Sequence, residues 1–309
     1  LIYTVTLNPA IDKTAVISEF TAGKVNRVET LREDAGGKGI NVSKCLKALG
    51  TESVAVLLLA GDAGKHLAGL LEQEGLSLLC GQAEGQTRTN LKIVAPVLGQ
   101  NTDINEPGPQ ASEKTLNELL KLLCQRILPG DIVVLSGSLP VGAPADTYRH
   151  WTETLQAKGA RVFLDADGAA MAEGIQGRPF LVKPNETELA CLLGKPMETQ
   201  EQILAGGRQL LEMGVTQALI SLGGDGAYFL ENDRVYRAKS IKVAVKSTVG
   251  AGDSVVAAMA YGLQEGLPVE QMLSLAMAMG AASVMQSGTQ APDRALVLQL
   301  SKQAELQKL

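Results

Sequence analysis

Histidine is nearly absent from these 309 residues: only His66 and His150 occur. A histidine-based metal site or a Ser-His-Asp triad therefore has too few side chains to draw on. Aromatic residues make up 3% of the chain, which leaves little for stacking nucleobases. Cations are not in excess either. With 28 Lys and Arg against 33 Asp and Glu, the net charge is −5, so general attraction to nucleic acid or an anionic membrane is not expected, although a local basic pocket is compatible with it. The four cysteines, Cys45, Cys80, Cys124 and Cys191, stand far apart with no CxxC spacing, and read as buried apolar residues of a reducing compartment. Long apolar runs are missing, since the longest, VAVLLLA at 54–60, is too short to span a bilayer. The first residues, LIYTVTLNPAID, lack a basic segment followed by an apolar core, so no signal peptide is read and a cytoplasmic location is expected. Two nucleotide signatures are absent as well. Lys38 and Lys65 follow glycines without the upstream glycine of GxxxxGK[ST], and GAGDSV and GGDGAY both lack the third glycine of GxGxxG.

What is present is an alternation of strand-like and helix-like segments. IYTVTL (2–7), SVAVLLLA (53–60), DIVVLS (131–136), RVFLDAD (161–167), LVKPN (181–185) and QALISLGG (217–224) read as short buried strands. Between them, Val42, Cys45, Leu46 and Leu49 recur on one helix face, as do Leu67, Leu70 and Leu71, and again Leu116, Leu119, Leu120 and Leu123. A helix is expected over roughly 144–157, and a last group of helices from Gly252 onward. Near-continuous apolar strands joined by helices predict a parallel sheet covered on both faces. Residues 13–33 and 87–105 break the rhythm: they alternate apolar with polar residues around turn-like centres, AGK and LGQN. They are expected to be hairpins that combine into one small sheet, either a lid on a single domain spanning 1–309 or an extension of the main sheet's edge. Two exposed hairpins with an apolar face also predict a homodimer formed through them.

Residues 246–255, KSTVGAGDSV, place a carboxylate where a glycine-rich turn opens a helix. That is the position best suited to an anion, because backbone N–H groups and the positive helix end converge there. Asp253 would repel a phosphate, so its presence makes sense if it takes up a proton; alone, such an aspartate is more often a helix cap.

Together with GGKGIN (36–41), TLNPAID (6–12), SGSLP (136–140), VKPNETE (182–188) and SLGGDG (221–226), this stretch resembles the PfkB (ribokinase-like) family of carbohydrate kinases. Within it, the chain is most similar to the 1-phosphofructokinases and tagatose-6-phosphate kinases, over essentially its whole length and with the motifs in order. The resemblance implies an α/β fold, a three-layer αβα sandwich with a mostly parallel sheet and a small β-sheet lid. It implies an ATP- and Mg²⁺-dependent kinase, with fructose 1-phosphate the first substrate, tagatose 6-phosphate the alternative and fructose 6-phosphate third. Two rivals stay open: a sugar-phosphate-binding regulator that does not turn over, whose sequence would be expected to lose the base, and a kinase for an uncharged sugar or nucleoside.

By that resemblance Asp253 is the general base, and the amides around Gly250, Ala251 and Gly252 form an anion hole for the γ-phosphoryl group. Asp12 takes sugar hydroxyls, with a turn-forming aspartate as the bland alternative. Gly37, Lys38 and Asn41 of GGKGIN and Ser138 of SGSLP face the sugar. Lys38 and Arg88 are assigned to the phosphate the substrate already carries, with Lys24 as a weaker third; a solvated surface charge is the alternative for all three. Asn185 and Glu188 order Mg²⁺ through water, though the same NxxE spacing reads equally as a capping box. Lys183, Ser221, Gly223, Gly226 and Thr248 are assigned to ATP, with an ordinary strand-to-turn connection as the alternative for SLGGDG. The small-residue stretch at 276–288 borders adenine or is close helix packing.

Overall fold

A β-branched run such as IYTVT can be buried on both faces only inside a parallel sheet, and β1 (Ile2–Thr6) is buried throughout. The chain leaves it for β2 (Ala10–Val16) and β3 (Thr30–Gly36), returns through α1 (Lys38–Ala48) to β4 (Ser53–Leu59), and continues through α2 (Gly61–Gln73) to β5 (Ser77–Gln82). A second excursion forms β6 (Arg88–Ala95) and β7 (Gln100–Asn105) before α3 (Glu113–Cys124) leads to β8 (Ile132–Ser136). Then follow α4 (Thr147–Gln156), β9 (Arg161–Asp165), α5 (Gly168–Gln176), β10 (Leu181–Val182), α6 (Glu186–Leu193), α7 (Gln200–Glu212) and β11 (Gln217–Ser221). The chain ends with β12 (Ala227–Glu231), β13 (Arg234–Ala238), α8 (Ala251–Gln264), α9 (Val269–Val284), α10 (Arg294–Ser301) and β14 (Leu306–Lys308). This computed structural model describes residues 1–286 and 288–309. Ser287, within the small-residue stretch read at 276–288, lies outside the described residues.

The main sheet has ten strands in the order β14-β13-β12-β11-β10-β9-β8-β1-β4-β5. From β11 to β5 every pairing is parallel, and β12, β13 and β14 add an antiparallel edge. Period-2 alternation decides which helix layer each strand residue meets. Tyr3, Val5, Val133 and Leu135 pack with the α3 stripe of Leu116, Leu119, Leu120 and Leu123. Ile2, Ile132 and Val134 pack with Val42, Cys45, Leu46 and Leu49 of α1 and with α8 and α9 on the other face. The result is the expected three-layer αβα sandwich. Among the described residues, no helix is long and apolar enough to cross a membrane.

The two excursions meet in a second, four-stranded sheet of order β3-β2-β6-β7. Its register separates two faces. Asp12 pairs with Asp34 and Asn90, and Thr14 with Arg32 and Lys92, which makes one face polar. Ala15 pairs with Leu31 and Ile93, and Leu91 with Ile104, on the other face. That apolar face is anchored to the main body at one end, where Ile11 and Ala35 are buried against Ile40, Leu57 and Leu67. At the other end Leu31 and Ile104 stay about half exposed.

The hairpin of β12 and β13 was not among the strands read from the sequence. Its signal was available: AYFLE and RVYRA are separated by Asn232-Asp233, and Asn232 adopts φ 49, as a tight two-residue turn requires. The three-residue β14 pairs with β13 across some 70 residues of chain, a contact no local pattern reports.

Candidate active site

The carboxyl ends of the parallel strands bring the motifs to one edge of the sheet, where open α/β sheets hold their ligands. Asn8 follows β1, Ser138 follows β8, Asp165 ends β9, Lys183 follows β10 and Ser221 ends β11. The order reverses at β1, with β4 and β5 on one side and β8 to β11 on the other. The amino terminus of α1 crosses this reversal.

The first group of side chains gathers at the start of α8. Gly250 is the residue before the helix and takes φ 80, a left-handed conformation that a side chain would strain. The following turn presents N–H groups with no partner inside the helix. Asp253 sits in that turn, 6% exposed, and its Oδ2 accepts a hydrogen bond from Asn41 Nδ2 at 2.8 Å. Burial, and then the neighbouring Asp165 carboxylate, push its pKa up to about 6, against the opposing pull of Asn41, Lys38 and Lys183. A group that is largely ionised near neutrality yet protonates readily is what a general base needs.

Two lysines share Asp165. Lys38 Nζ lies 3.3 Å and Lys183 Nζ 3.5 Å from the same Oδ1. Burial works to lower the pKa of Lys38, but Asp165, with Asp253, Glu188 and Asp167, outweighs it and the net direction is upward. Lys183 is 6% exposed. A Cβ on Gly252 would stand 3.1 Å from Lys183 Nζ, so the absence of a side chain lets the ammonium come against the first turn of α8. Asp165 is missing from the residues singled out in the sequence, although a carboxylate closing an apolar strand, as in RVFLD, is a usable sign.

The second group lies toward the four-stranded sheet. Asp12 Oδ1 accepts from Asn90 Nδ2 at 2.9 Å. Burial raises the pKa of Asp12, opposed by that hydrogen bond and by Arg88. Arg88 Nη2 donates to the Asn8 carbonyl at 2.9 Å, and Asn8 Nδ2 in turn reaches Ser138 Oγ at 3.3 Å and the Pro107 carbonyl at 3.1 Å. Asn8 thus ties the proposed sugar-side residues together, another member that the sequence did not reveal because its partners lie 80 residues or more away.

GGKGIN joins the two groups. Any Cβ at Gly36 would overlap the Asp12 carboxylate, Gly37 takes φ 129 against the Thr6 side chain, Lys38 reaches Asp165, and Asn41 reaches Asp253. Lys38 therefore turns toward Asp165 and Asp253, whereas the family resemblance assigns it, with Arg88, to the substrate's phosphate. Lys24 is exposed in the connection between β2 and β3, where its carbonyl accepts from Asn26 at 3.0 Å. Among the described residues no hydrogen bond or ion pair joins Lys24 to either group.

Asn185 and Glu188 do form the capping box: Asn185 Oδ1 accepts from the Glu188 N–H at 2.8 Å, and Glu188 Oε2 from the Asn185 N–H at 2.9 Å. Glu188 Oε1 is left over. Among the described residues no cluster of three or more His, Cys, Asp or Glu could cage a metal. A single free carboxylate oxygen is compatible with Mg²⁺, which keeps much of its water and takes most other ligands from phosphates. Ser221 N–H donates to the Pro184 carbonyl at 3.0 Å, holding the two loops together. Gly223 opens a short 3₁₀ turn with φ 52, and Thr248, exposed, accepts from Ala251 N–H at 3.4 Å. Gly226 has a structural reason of its own, since a Cβ there would lie 2.1 Å from the Ala238 carbonyl oxygen.

The pfkB family carbohydrate kinase profile matches residues 5–296. A 1-phosphofructokinase of Bacillus subtilis is 38% identical over 283 residues, 92% of each chain. Another from Xanthomonas campestris pv. campestris is 40% identical over 281 residues, 89% of this chain and 88% of that one. The crystal structure of phosphofructokinase-2 from Escherichia coli in complex with fructose-6-phosphate superposes with a TM-score of 0.91 at 27% identity, covering 98% of each chain.

Proposed function

The chain belongs to the pfkB family of carbohydrate kinases, and from that premise we propose that it moves the γ-phosphoryl group of ATP to fructose 1-phosphate, giving fructose 1,6-bisphosphate. The observation that carries this is Asp253: a buried carboxylate among helix-start amides, beside two lysines, with Asp12 and Arg88 across the amino terminus of α1. Asp253 takes the proton of the attacking hydroxyl, the oxygen forms a bond to the γ-phosphorus, and the bridging bond to ADP breaks. Lys38, Lys183 and the amides of Ala251, Gly252 and Asp253 stabilise the phosphoryl group in flight.

Asp12 and Asn90 orient sugar hydroxyls, while Arg88, with Ser138, meets the phosphate already on the substrate. Ser221, Gly223 and Thr248 border the nucleotide. Glu188 would hold Mg²⁺ through water, and the bound ion would neutralise phosphate charge. The polar face of the four-stranded sheet acts as a lid: Arg32 on β3 comes close to Gly288 beyond α9, where an added Cβ would stand 2.6 Å from its Nη2. Its apolar face, bearing Leu31 and Ile104, pairs with a second copy in a homodimer. A cytoplasmic location goes with ATP as co-substrate.

A coupled ADP-release assay with fructose 1-phosphate, tagatose 6-phosphate, fructose 6-phosphate and fructose tests the assignment. The highest kcat/KM is expected with fructose 1-phosphate. Preference for another phosphate moves the specificity, preference for free fructose removes Arg88's role, and no ADP release at all leaves a binding protein.

A further inference from the structure

We propose that Asp165 is a positioning residue for phosphoryl transfer, whose carboxylate holds Lys38 and Lys183 as a pair facing the first turn of α8. This rests on the kinase reading above. Asp165 is 1% exposed at the carboxyl end of β9, and its two cationic partners come from different parts of the chain, the first residue of α1 and the segment after β10. Both approach a single oxygen, at 3.3 and 3.5 Å. Charge-assisted hydrogen bonds are usually about 2.7–2.9 Å long, so the pairing is loose and shared, and each ammonium can turn to an incoming phosphate.

Without an anion between them, the two ammonium groups would repel each other and move apart. Asp165 prevents that while no nucleotide is bound. Its second oxygen, Oδ2, is buried with no hydrogen-bond partner among the described residues. Leaving a carboxylate oxygen unpaired costs stability, which argues against a carboxylate kept only to strengthen the core. Asp165 also acts on the base. The charged and titratable groups facing Asp253 are Asp165 from β9, Lys38 and Cys45 from α1, and Lys183 from the segment after β10, with the neutral Asn41 on its carboxylate. Asp165 is the one anion in that set.

The test is Asp165→Asn, read in two ways. In kcat/KM against pH, the acid limb should move to lower pH, because one negative charge facing Asp253 is gone while both lysines remain. Calorimetric titration with ATP alone, without sugar, should show affinity at least about tenfold weaker. An acid limb in its original place together with unchanged ATP affinity overturns the proposal, whatever happens to kcat. Should Asp165→Asn not fold, Asp165→Glu keeps the charge but moves it by one methylene: ATP affinity should weaken with the acid limb in place, and unchanged ATP affinity overturns the proposal. If neither variant folds, Asp165 belongs to the scaffold and the proposal falls. Because the ATP titration needs no sugar, it decides the role of Asp165 even if the chain proves inactive on every ketohexose phosphate.

Discussion

In its proposed role, Asp253 trades stability for chemistry. Its pKa is raised from 3.8 to about 6 by burial and by Asp165, so the ionised form that accepts a proton predominates only above that value. kcat/KM should therefore rise with pH through about 6 and then level, which a pH–rate profile checks. Asp253→Asn should lower kcat by roughly 10²–10⁴ with substrate binding largely kept, and near-normal turnover would remove the base. The same shift has a consequence for folding. A raised pKa means that the fold favours the protonated group, so charging it costs stability as pH climbs from about 4 to 6 and throughout the range above. Asp253→Asn should consequently raise Tm by about 2–6 °C at pH 8, with the gain vanishing below about pH 4, as scanning calorimetry at the two pH values would show. Arg88 has a simpler expectation. Arg88→Met should raise KM for the sugar phosphate by roughly 10–100-fold, the worth of a charge-assisted contact, with little change in kcat.

At the scale of elements, the proposed function gives α6 two duties in its first turn. The capping box satisfies N–H groups that a helix start otherwise leaves unpaired, and it uses only one of the two Glu188 carboxylate oxygens. Glu188→Gln separates the two. A glutamine amide oxygen still accepts from the Asn185 N–H, so Tm should stay within about 2 °C, since loss of a cap costs only about 1 kcal/mol in any case. The Mg²⁺ concentration for half-maximal rate should rise several-fold. An unchanged Mg²⁺ dependence would leave Glu188 a cap and nothing more. The four-stranded sheet divides its work in the same way, through alternation: Asp12 and Asn90 point to one side, Leu31 and Ile104 to the other.

For the whole molecule, that exposed apolar face is the feature a monomer leaves unexplained. Leu31 is 56% and Ile104 52% exposed, on the outer strands of a sheet whose other face is polar. Leu31→Lys with Ile104→Lys should shift sedimentation from dimer to monomer while leaving the thermal transition of the protomer nearly unchanged, since exposed substitutions usually cost within about 0.5 kcal/mol. A wild-type chain that sediments as a monomer at all concentrations would sink the dimer. If the second copy steadies the lid, the monomeric variant should also show a raised KM for the sugar phosphate.

The layered α/β fold was legible because its signals are local: buried strands as short apolar runs, helix stripes such as Leu116, Leu119, Leu120 and Leu123, and glycines where α8 must begin. The two excursions were legible for the same reason, since alternation is a property of neighbouring residues. What joins distant segments was not. That Lys38 turns to Asp165, that Asn8 binds Arg88 and Ser138 into one framework, and that a carboxylate ending β9 faces another opening α8 follow only from the stacking of strand ends along one edge. A sequence assigns charges to residues; the low-dielectric surroundings and separations of a few ångströms that fix what those charges do arise only when the chain closes on itself.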